Sequence, residues 1–418
     1  MYKNPVLSIA FEDSGQSKNK YLILLAFEAK LAYNETKKGR MISMLVNTPP
    51  MGWNTWNTFG GDISDSLVRE SADAIVNSGL RDAGYAYVVI DDCWSLKKRD
   101  SETKRIVPDP EKFPFGMKAL ADYVHSKGLK FGMYSCAGQR TCADYPGSFD
   151  HEYLDACTFA EWGVDFLKYD FCYHPRYIEG ELLYRRMGMA LRESGRDILF
   201  SACNWGSDDV WSWIRSTGAH MFRSTGDIID TPESFRKIVI SQMDKLHASG
   251  AQCFNDMDML TVGMYGKGNV GVKGCSAADY RSQFALWCLC GVPLMLGCDV
   301  RSIDSEMLEL VKNKKLIAIN QDAECRQPIF LGNPERDRKL TVFRHLDGGR
   351  YALGLFNFDE TDRDVHLVFS DVGLSAASGL GFEFDNVLGD LSGRYAEYVT
   401  VKVPPRDCAV AIARAVKL

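Results

Sequence analysis

The chain has 418 residues, 25% of them charged and 46% hydrophobic, with a net charge of −6; this is ordinary globular composition and excludes a disordered chain or a long coiled coil. The mild acidity argues against a nucleic-acid partner, which would call for a basic face. The longest apolar runs, 21–27 and the stretch 285–297 broken by Gly291 and Pro293, fall short of the roughly 20 residues of a membrane-spanning helix, so no membrane partner is expected.

In chain order, residues 1–46 lack strong periodicity and read as an N-terminal extension of unknown role. Lys18 and Lys20 precede the apolar run 21–27, but Glu28 and Lys30 interrupt it and no small-residue cleavage site follows, so a signal peptide is not expected and a cytoplasmic, bacterial-type setting is. From Pro49 onward, short apolar strand-like runs alternate with helical patterns. The strands end near Trp53, Asp91, Tyr134, Asp170, Cys203, Arg223, Asp256 and Leu296, at intervals of about 35 residues, which suits eight βα units closed into a barrel. Val68, Ala72, Ile75 and Val76 form one helical stripe ended by Gly79 and Gly84, and further helices are expected over Gly116–Lys127, Glu152–Trp162, Pro232–Ala248 and Ala277–Leu289. After Asn320 the pattern turns β-rich, with runs at Lys339–Arg344, Tyr351–Phe358, Val365–Phe369 and Tyr398–Val403. The expected fold is α/β, a (β/α)8 TIM barrel over 47–324 followed by a C-terminal antiparallel β-sandwich over 325–418. All eight tryptophans lie between Trp53 and Trp287, which points to the barrel as the functional part.

A barrel carries its active site at the C-terminal ends of its strands. Five of these ends bear acids or amides beside apolar runs: Asp91 and Asp92; Lys168 and Asp170; Asn204 with Trp205; Arg223 and Asp227; Asp256 and Asp258. Carboxylates buried there are costly without partners or a ligand, although any one of them could instead cap a helix. Lys168 and Asp170 share a side of their strand, so the ammonium would keep Asp170 ionised, as a nucleophile requires. One carboxylate held ionised and another available as an acid is the pattern of glycoside hydrolysis, and aromatic faces suit sugar rings. A divalent ion held by Asp91, Asp92, Asp256 and Asp258 is the rival from another reaction class, but no HxH, HxxH or HExxH spacing supports it and no metal is expected. No GxxxxGK[ST] occurs, and the glycine-rich 263–274, which follows the DMDML strand end, reads as a mobile rim of the site rather than a phosphate cradle. The thirteen cysteines, all from Cys93 onward and without a CxxC pair, read as mostly free buried thiols.

The blocks PPMGWNTW (49–56), DDCW (91–94), FPFGM (113–117), GLKFGMYS (128–135), TCADYPG (141–147), WGVDFLKYD (162–170), RSTGD (223–227), NDMDML (255–260) and IAINQD (317–322) together resemble glycoside hydrolase family 27, the α-galactosidases and α-N-acetylgalactosaminidases. The resemblance runs collinearly from Pro49 over nearly all the remaining chain. It implies the same barrel and sandwich, no cofactor, and retaining hydrolysis of a terminal α-linked galacto-configured sugar, the carbohydrate being the partner. It implies Asp170 as nucleophile and Asp227 as acid/base, about 5–5.5 Å apart as in retaining enzymes. It assigns Asp91 and Asp92 to the 4- and 6-hydroxyls, Trp56 to an aromatic wall, Tyr134 and Lys168 to the pocket lining, and Arg223 and Asp258, with Met259 beside them, to the 2- and 3-hydroxyls. It also implies a disulfide between Cys142 and Cys172 at the pocket rim.

The departures bear on specificity. Asn204 stands where many α-galactosidases carry Glu and is expected to read the 2-substituent, with the small Ser207 three residues on. Galactose is the expected sugar, with N-acetylgalactosamine on the same site as the alternative and a non-catalytic galactose-binding protein as a further one. Retention of Asp92 favours a substrate with a 6-hydroxyl. Cys136 replaces an Asp, so a local hydrogen bond is expected to be lost. Cys93 and Cys203 lack their usual partners. The aglycone and a homo-oligomeric state are left open.

Overall fold

The computed structural model describes residues 45–418, which form one compact unit; residues 1–44 of the expected extension lie outside it. Eight strands, β1 (Met51–Asn54), β2 (Tyr87–Val89), β3 (Lys130–Cys136), β4 (Phe166–Asp170), β5 (Leu199–Cys203), β6 (Met221–Arg223), β7 (Phe254–Asp256) and β8 (Leu294–Leu296), pair in parallel in the order β7-β6-β5-β4-β3-β2-β1-β8. The seam between β7 and β8 is closed by Leu260, whose N–H donates to Met295 O at 2.7 Å and whose carbonyl accepts from Gly297 N at 2.9 Å. The principal helices are α1 (Asp65–Asn77), α2 (Gly116–Ser126), α3 (Glu152–Trp162), α4 (Gly180–Glu193), α5 (Pro232–Gln242), α6 (Ala277–Cys290), α7 (Ser305–Val311) and α8 (Lys314–Asn320). The helix expected to reach Ala248 stops at Gln242, and a short 3-10 turn, Leu246–Ala248, continues it.

Strand periodicity sorts the barrel residues into two environments. Tyr87, Val89, Phe166, Leu199, Met221, Phe254 and Met295 point inward and fill the lumen, with Leu45 and Val46 packed against them. The intervening Leu167, Tyr169, Phe200 and Ala202 point outward beneath the helices. Two backbone positions are glycine because the lumen leaves no room: a Cβ on Gly52 would lie 2.6 Å from Tyr87 O, and one on Gly132 would lie 2.7 Å from Val89 Cγ2.

The sandwich pairs a six-stranded antiparallel sheet with the two-stranded ribbon of β12 (Arg363–Val368) and β15 (Tyr398–Val403). The larger sheet holds β9 (Ile329–Leu331), β10 (Lys339–Leu346), β11 (Arg350–Asn357), β13 (Leu380–Leu388), β14 (Gly393–Tyr395) and β16 (Cys408–Lys417). On β10, Leu340, Val342 and Leu346 pack toward the barrel, whereas Phe343 packs toward the ribbon. β16 follows the same rule, with Cys408 and Val410 on the barrel side and Ala409, Ala411 and Ala413 on the other. At this junction Arg344 is buried. Its Nη1 donates to Cys288 O (3.2 Å), Leu289 O (3.4 Å) and Ile319 O (3.0 Å), and its Nε to Arg326 O (2.8 Å). One guanidinium thus satisfies the carbonyl ends of α6 and α8, where a cation also complements the helix dipoles.

Candidate active site

The strand alternation that fills the lumen also builds the floor of the site. Two residues beyond inward-facing Val89, Phe166, Leu199, Met221 and Phe254 come Asp91, Lys168, Ser201, Arg223 and Asp256. A cavity of about 320 Å³ opens above them, and its lining includes Trp56, Asp91, Asp92, Tyr134, Cys142, Lys168, Asp170, Arg223, Asp227, Asp258 and Met259. Of the sequence-predicted site residues, all but Asn204, Asp256 and Cys172 line this cavity at the C-terminal end of the barrel. A larger depression of about 870 Å³ lies between 97–99 and 139–151, but three of its cations are engaged: Arg99 with Asp155, Arg140 with Asp144, and Lys97 with Ala143 O and the face of Tyr145.

Asp170 is buried at the end of β4. Its Oδ2 accepts the Tyr134 hydroxyl at 2.7 Å and its Oδ1 accepts Phe171 N–H at 2.9 Å. Lys168 donates to Asp91 Oδ2 at 2.8 Å, not to Asp170 as the two-residue spacing suggests. Burial pushes the Asp170 carboxyl up to about 6, and the Lys168 charge and the Tyr134 hydrogen bond only partly offset this. The Lys168 charge therefore favours the ionised carboxylate in the expected direction, but burial opposes it more strongly. Burial is the largest influence and opposes the Lys168 charge, but Asp91, Cys203 and Asp170 together outweigh it and hold the ammonium protonated.

Asp91 Oδ2 also accepts Asn54 Nδ2 at 2.8 Å, and Asp91 Oδ1 accepts Asp92 N–H at 3.0 Å. Asp92 takes the amides of Cys93 (2.7 Å) and Ala143 (3.0 Å). Its carboxyl is raised by burial, and these bonds restrain the shift. Cys93 adopts φ 70°, which turns the chain sharply after the two acids. On the opposite wall Arg223 bridges two carboxylates at 2.7 Å each: Asp227 Oδ1, on an exposed side chain, and buried Asp258 Oδ2. Asp258 also accepts Ile228 N–H and Met259 N–H, both at 2.7 Å. Burial raises its carboxyl and the Arg223 charge works against the rise.

Cys142 and Cys172 form a disulfide with Cα atoms 5.2 Å apart, beside Asp170. Among the described residues, the cluster with metal-ligand geometry is Cys142, Asp170 and Cys172, and its two sulfurs are bonded to each other. The other eleven cysteines are free, and ten of them are buried.

A family model described as alpha galactosidase A matches residues 48–322. The chain belongs to that family, the melibiases of glycoside hydrolase family 27. It is 49% identical over 332 residues to an alpha-galactosidase of Cyamopsis tetragonoloba, covering 79% of this chain and 77% of that protein. It is 35% identical over 415 residues to alpha-galactosidase A of Cellvibrio japonicus, covering 93% and 97% respectively. Among solved structures it is similar to alpha-galactosidase I of Mortierella vinacea, with a TM-score of 0.82 and 30% identity over 90% of this chain and all of that one.

Set against this melibiase frame, three local expectations change. Asn204 does not reach the cavity. It follows inward-facing Cys203 by one residue, so its side chain enters the wall, where Nδ2 donates to Ser207 O at 2.8 Å. Cys203 and Trp205 border the cavity instead, Trp205 at φ 58°. Cys136 keeps a local hydrogen-bond pair: its sulfur lies 3.1 Å from Cys172 O and accepts Gly138 N–H at 3.4 Å. The 263–274 segment is pinned, not loose, by Asn269 N to Thr58 O (3.0 Å), Val270 N to Asn57 O (3.0 Å) and Gly266 N to Asp230 Oδ2 (2.7 Å). A Cβ on Gly268 would lie 2.7 Å from Thr58 Cα, which explains the glycine there. The space beside Cys93, where a bonding partner would stand, is occupied by Gly61, whose Cβ would lie 3.2 Å from the sulfur.

The residues that sequence reasoning missed in this cavity are Asn57, Cys203, Ile228 and Ile229. The phase of β5 could have found Cys203. Asn269, Val270 and Val272 lie in the glycine-rich segment expected at the rim, which folds back across the mouth.

Proposed function

We propose that the chain is a retaining, exo-acting α-galactosidase that removes terminal α-linked galactose from oligosaccharides or glycoconjugates. The observation that carries this reading is the pairing of two differently placed carboxylates in one small cavity. Asp170 is buried and fixed by Tyr134, whereas Asp227 is exposed and held on one oxygen by Arg223. The cavity lies at the small end of the roughly 300–1,000 Å³ range of ligand pockets, which suits a single terminal ring.

In this reading Asp170 attacks the anomeric carbon while Asp227 protonates the leaving oxygen. Asp227 then takes a proton from the water that releases the sugar. Asp91, Asp92 and Lys168 form a polar corner for the 4- and 6-hydroxyls, Arg223 and Asp258 face the 2- and 3-hydroxyls, and Trp56 walls the ring.

An attacking carboxylate must be ionised, so kcat/KM is expected to fall about tenfold per pH unit below pH 6, following Asp170. A pH–rate profile of the free enzyme on an aryl α-galactoside checks this, and a flat profile down to pH 4 would contradict the assignment. Cys203 and Trp205, not Asn204, border the cavity on the β5 side, and the bulk of Trp205 disfavours an N-acetyl group there. Aryl α-galactoside and aryl α-N-acetylgalactosaminide assayed side by side should differ by at least about tenfold in favour of galactose. Parity or the reverse would move the chain to the N-acetylgalactosaminidases.

A further inference from the structure

The sugar-binding floor leaves the nature of the leaving group open, and the mouth of the cavity speaks to it. If Asp227 protonates the leaving oxygen, the aglycone departs past Asp227. The backbone there is fixed, because Ile228 N–H is held by Asp258 and Asp230 N donates to Val270 O at 3.1 Å. The isolated bridge between Asp230 and Gly271 aligns residues 228–230 with 270–272. Beneath it the buried Asp230 carboxylate accepts the Tyr280 hydroxyl at 2.9 Å as well as Gly266 N–H.

Two apolar side chains project from this fixed frame. Ile229 is 43% exposed and Val272 is 59% exposed, and both line the mouth of the cavity. Scattered exposed apolar residues need no explanation, but two on adjoining segments at the exit of a polar cavity mark a binding surface. The nearby amide of Asn269 is tied back to Trp56 O at 3.3 Å.

We propose that Ile229 and Val272 form an apolar aglycone subsite that grips the non-polar face of a ring, either an aryl group or the C–H face of a second pyranose. The proposal rests on the α-galactosidase reading above. Each side chain leaves about half of its surface to water when the site is empty, so contact with a ring removes apolar surface from water on both partners. A leaving group too small to span the mouth gains nothing from them.

The test compares phenyl α-galactoside with α-galactosyl fluoride, whose leaving atom is too small to touch the rim. For the Ile229→Ser, Val272→Ser double variant the ratio of kcat/KM on the phenyl substrate to that on the fluoride should drop about tenfold relative to wild type. Each single variant should give an intermediate drop, and Ile229→Val should restore most of the ratio. Turnover of the fluoride by each variant shows that it is folded. A ratio unchanged in the double variant would overturn the subsite while leaving the α-galactosidase reading standing. Failure of the wild type to hydrolyse either substrate would overturn that reading and the subsite with it.

Discussion

Replacing Asp170 by Asn is expected to abolish turnover and to make the protein more stable. The carboxylate sits in a buried corner whose desolvation raises it from 3.8 to about 6. A raised carboxyl binds its proton more tightly in the folded than in the unfolded state, so folding stability falls as pH rises from about 4 to 6 and stays reduced above that. The cost at pH 7 is at most about 3 kcal/mol. Asn removes this cost and keeps an oxygen for Phe171 N–H. A rise in Tm of roughly 2–4 °C at pH 7 is expected, shrinking toward zero at pH 4. Scanning calorimetry of both proteins at the two pH values checks it. A destabilised variant, or one that retains wild-type rate on an aryl α-galactoside, would contradict the assignment of Asp170 as a strained nucleophile.

The second large effect concerns the division of labour between the two carboxylates. Asp227→Gly should lower kcat about 10²–10⁴-fold on substrates whose leaving group needs a proton. Arg223 retains its contact with Asp258, so the floor should survive the change. Added azide then separates the roles. In Asp227→Gly the sugar is still transferred to Asp170, and azide attacks that ester from the face the aglycone vacated, giving the α-galactosyl azide. In Asp170→Gly azide takes the place of the missing carboxylate and attacks from the opposite face while Asp227 protonates the leaving group, giving the β-azide. Nuclear magnetic resonance of the products reads the anomer directly, and the reverse pairing would exchange the two assignments.

The barrel was legible in the sequence because apolar runs ending in acids recur at the βα spacing, and the eight strands end within two residues of the expected positions. Legibility failed where one residue of phase or one tertiary partner decides the outcome. Asn204 shows the first case, since a strand position one step from Cys203 faces the wall. Lys168 shows the second: spacing places it beside Asp170, but Asp91 on β2 offers the better acceptor. In the sandwich, β16 escaped notice because its Ala-rich sequence favours helix locally, and only packing of both its faces makes it a strand. β13 carries Glu383, Asp385 and Asn386, which blur its alternation. The disulfide could be implied only by resemblance, because thirty residues separate its cysteines in the chain.

The buried Arg344 has a bearing on how far such an enzyme can be trimmed. Cutting the chain after the barrel would strip the guanidinium from the ends of α6 and α8 and bare three main-chain carbonyls. It would also turn to water the apolar face that now meets Leu340, Val342 and Val410. The catalytic half is therefore not a detachable cassette. The sandwich acts as the barrel's missing wall, and heating should melt the two together in one transition.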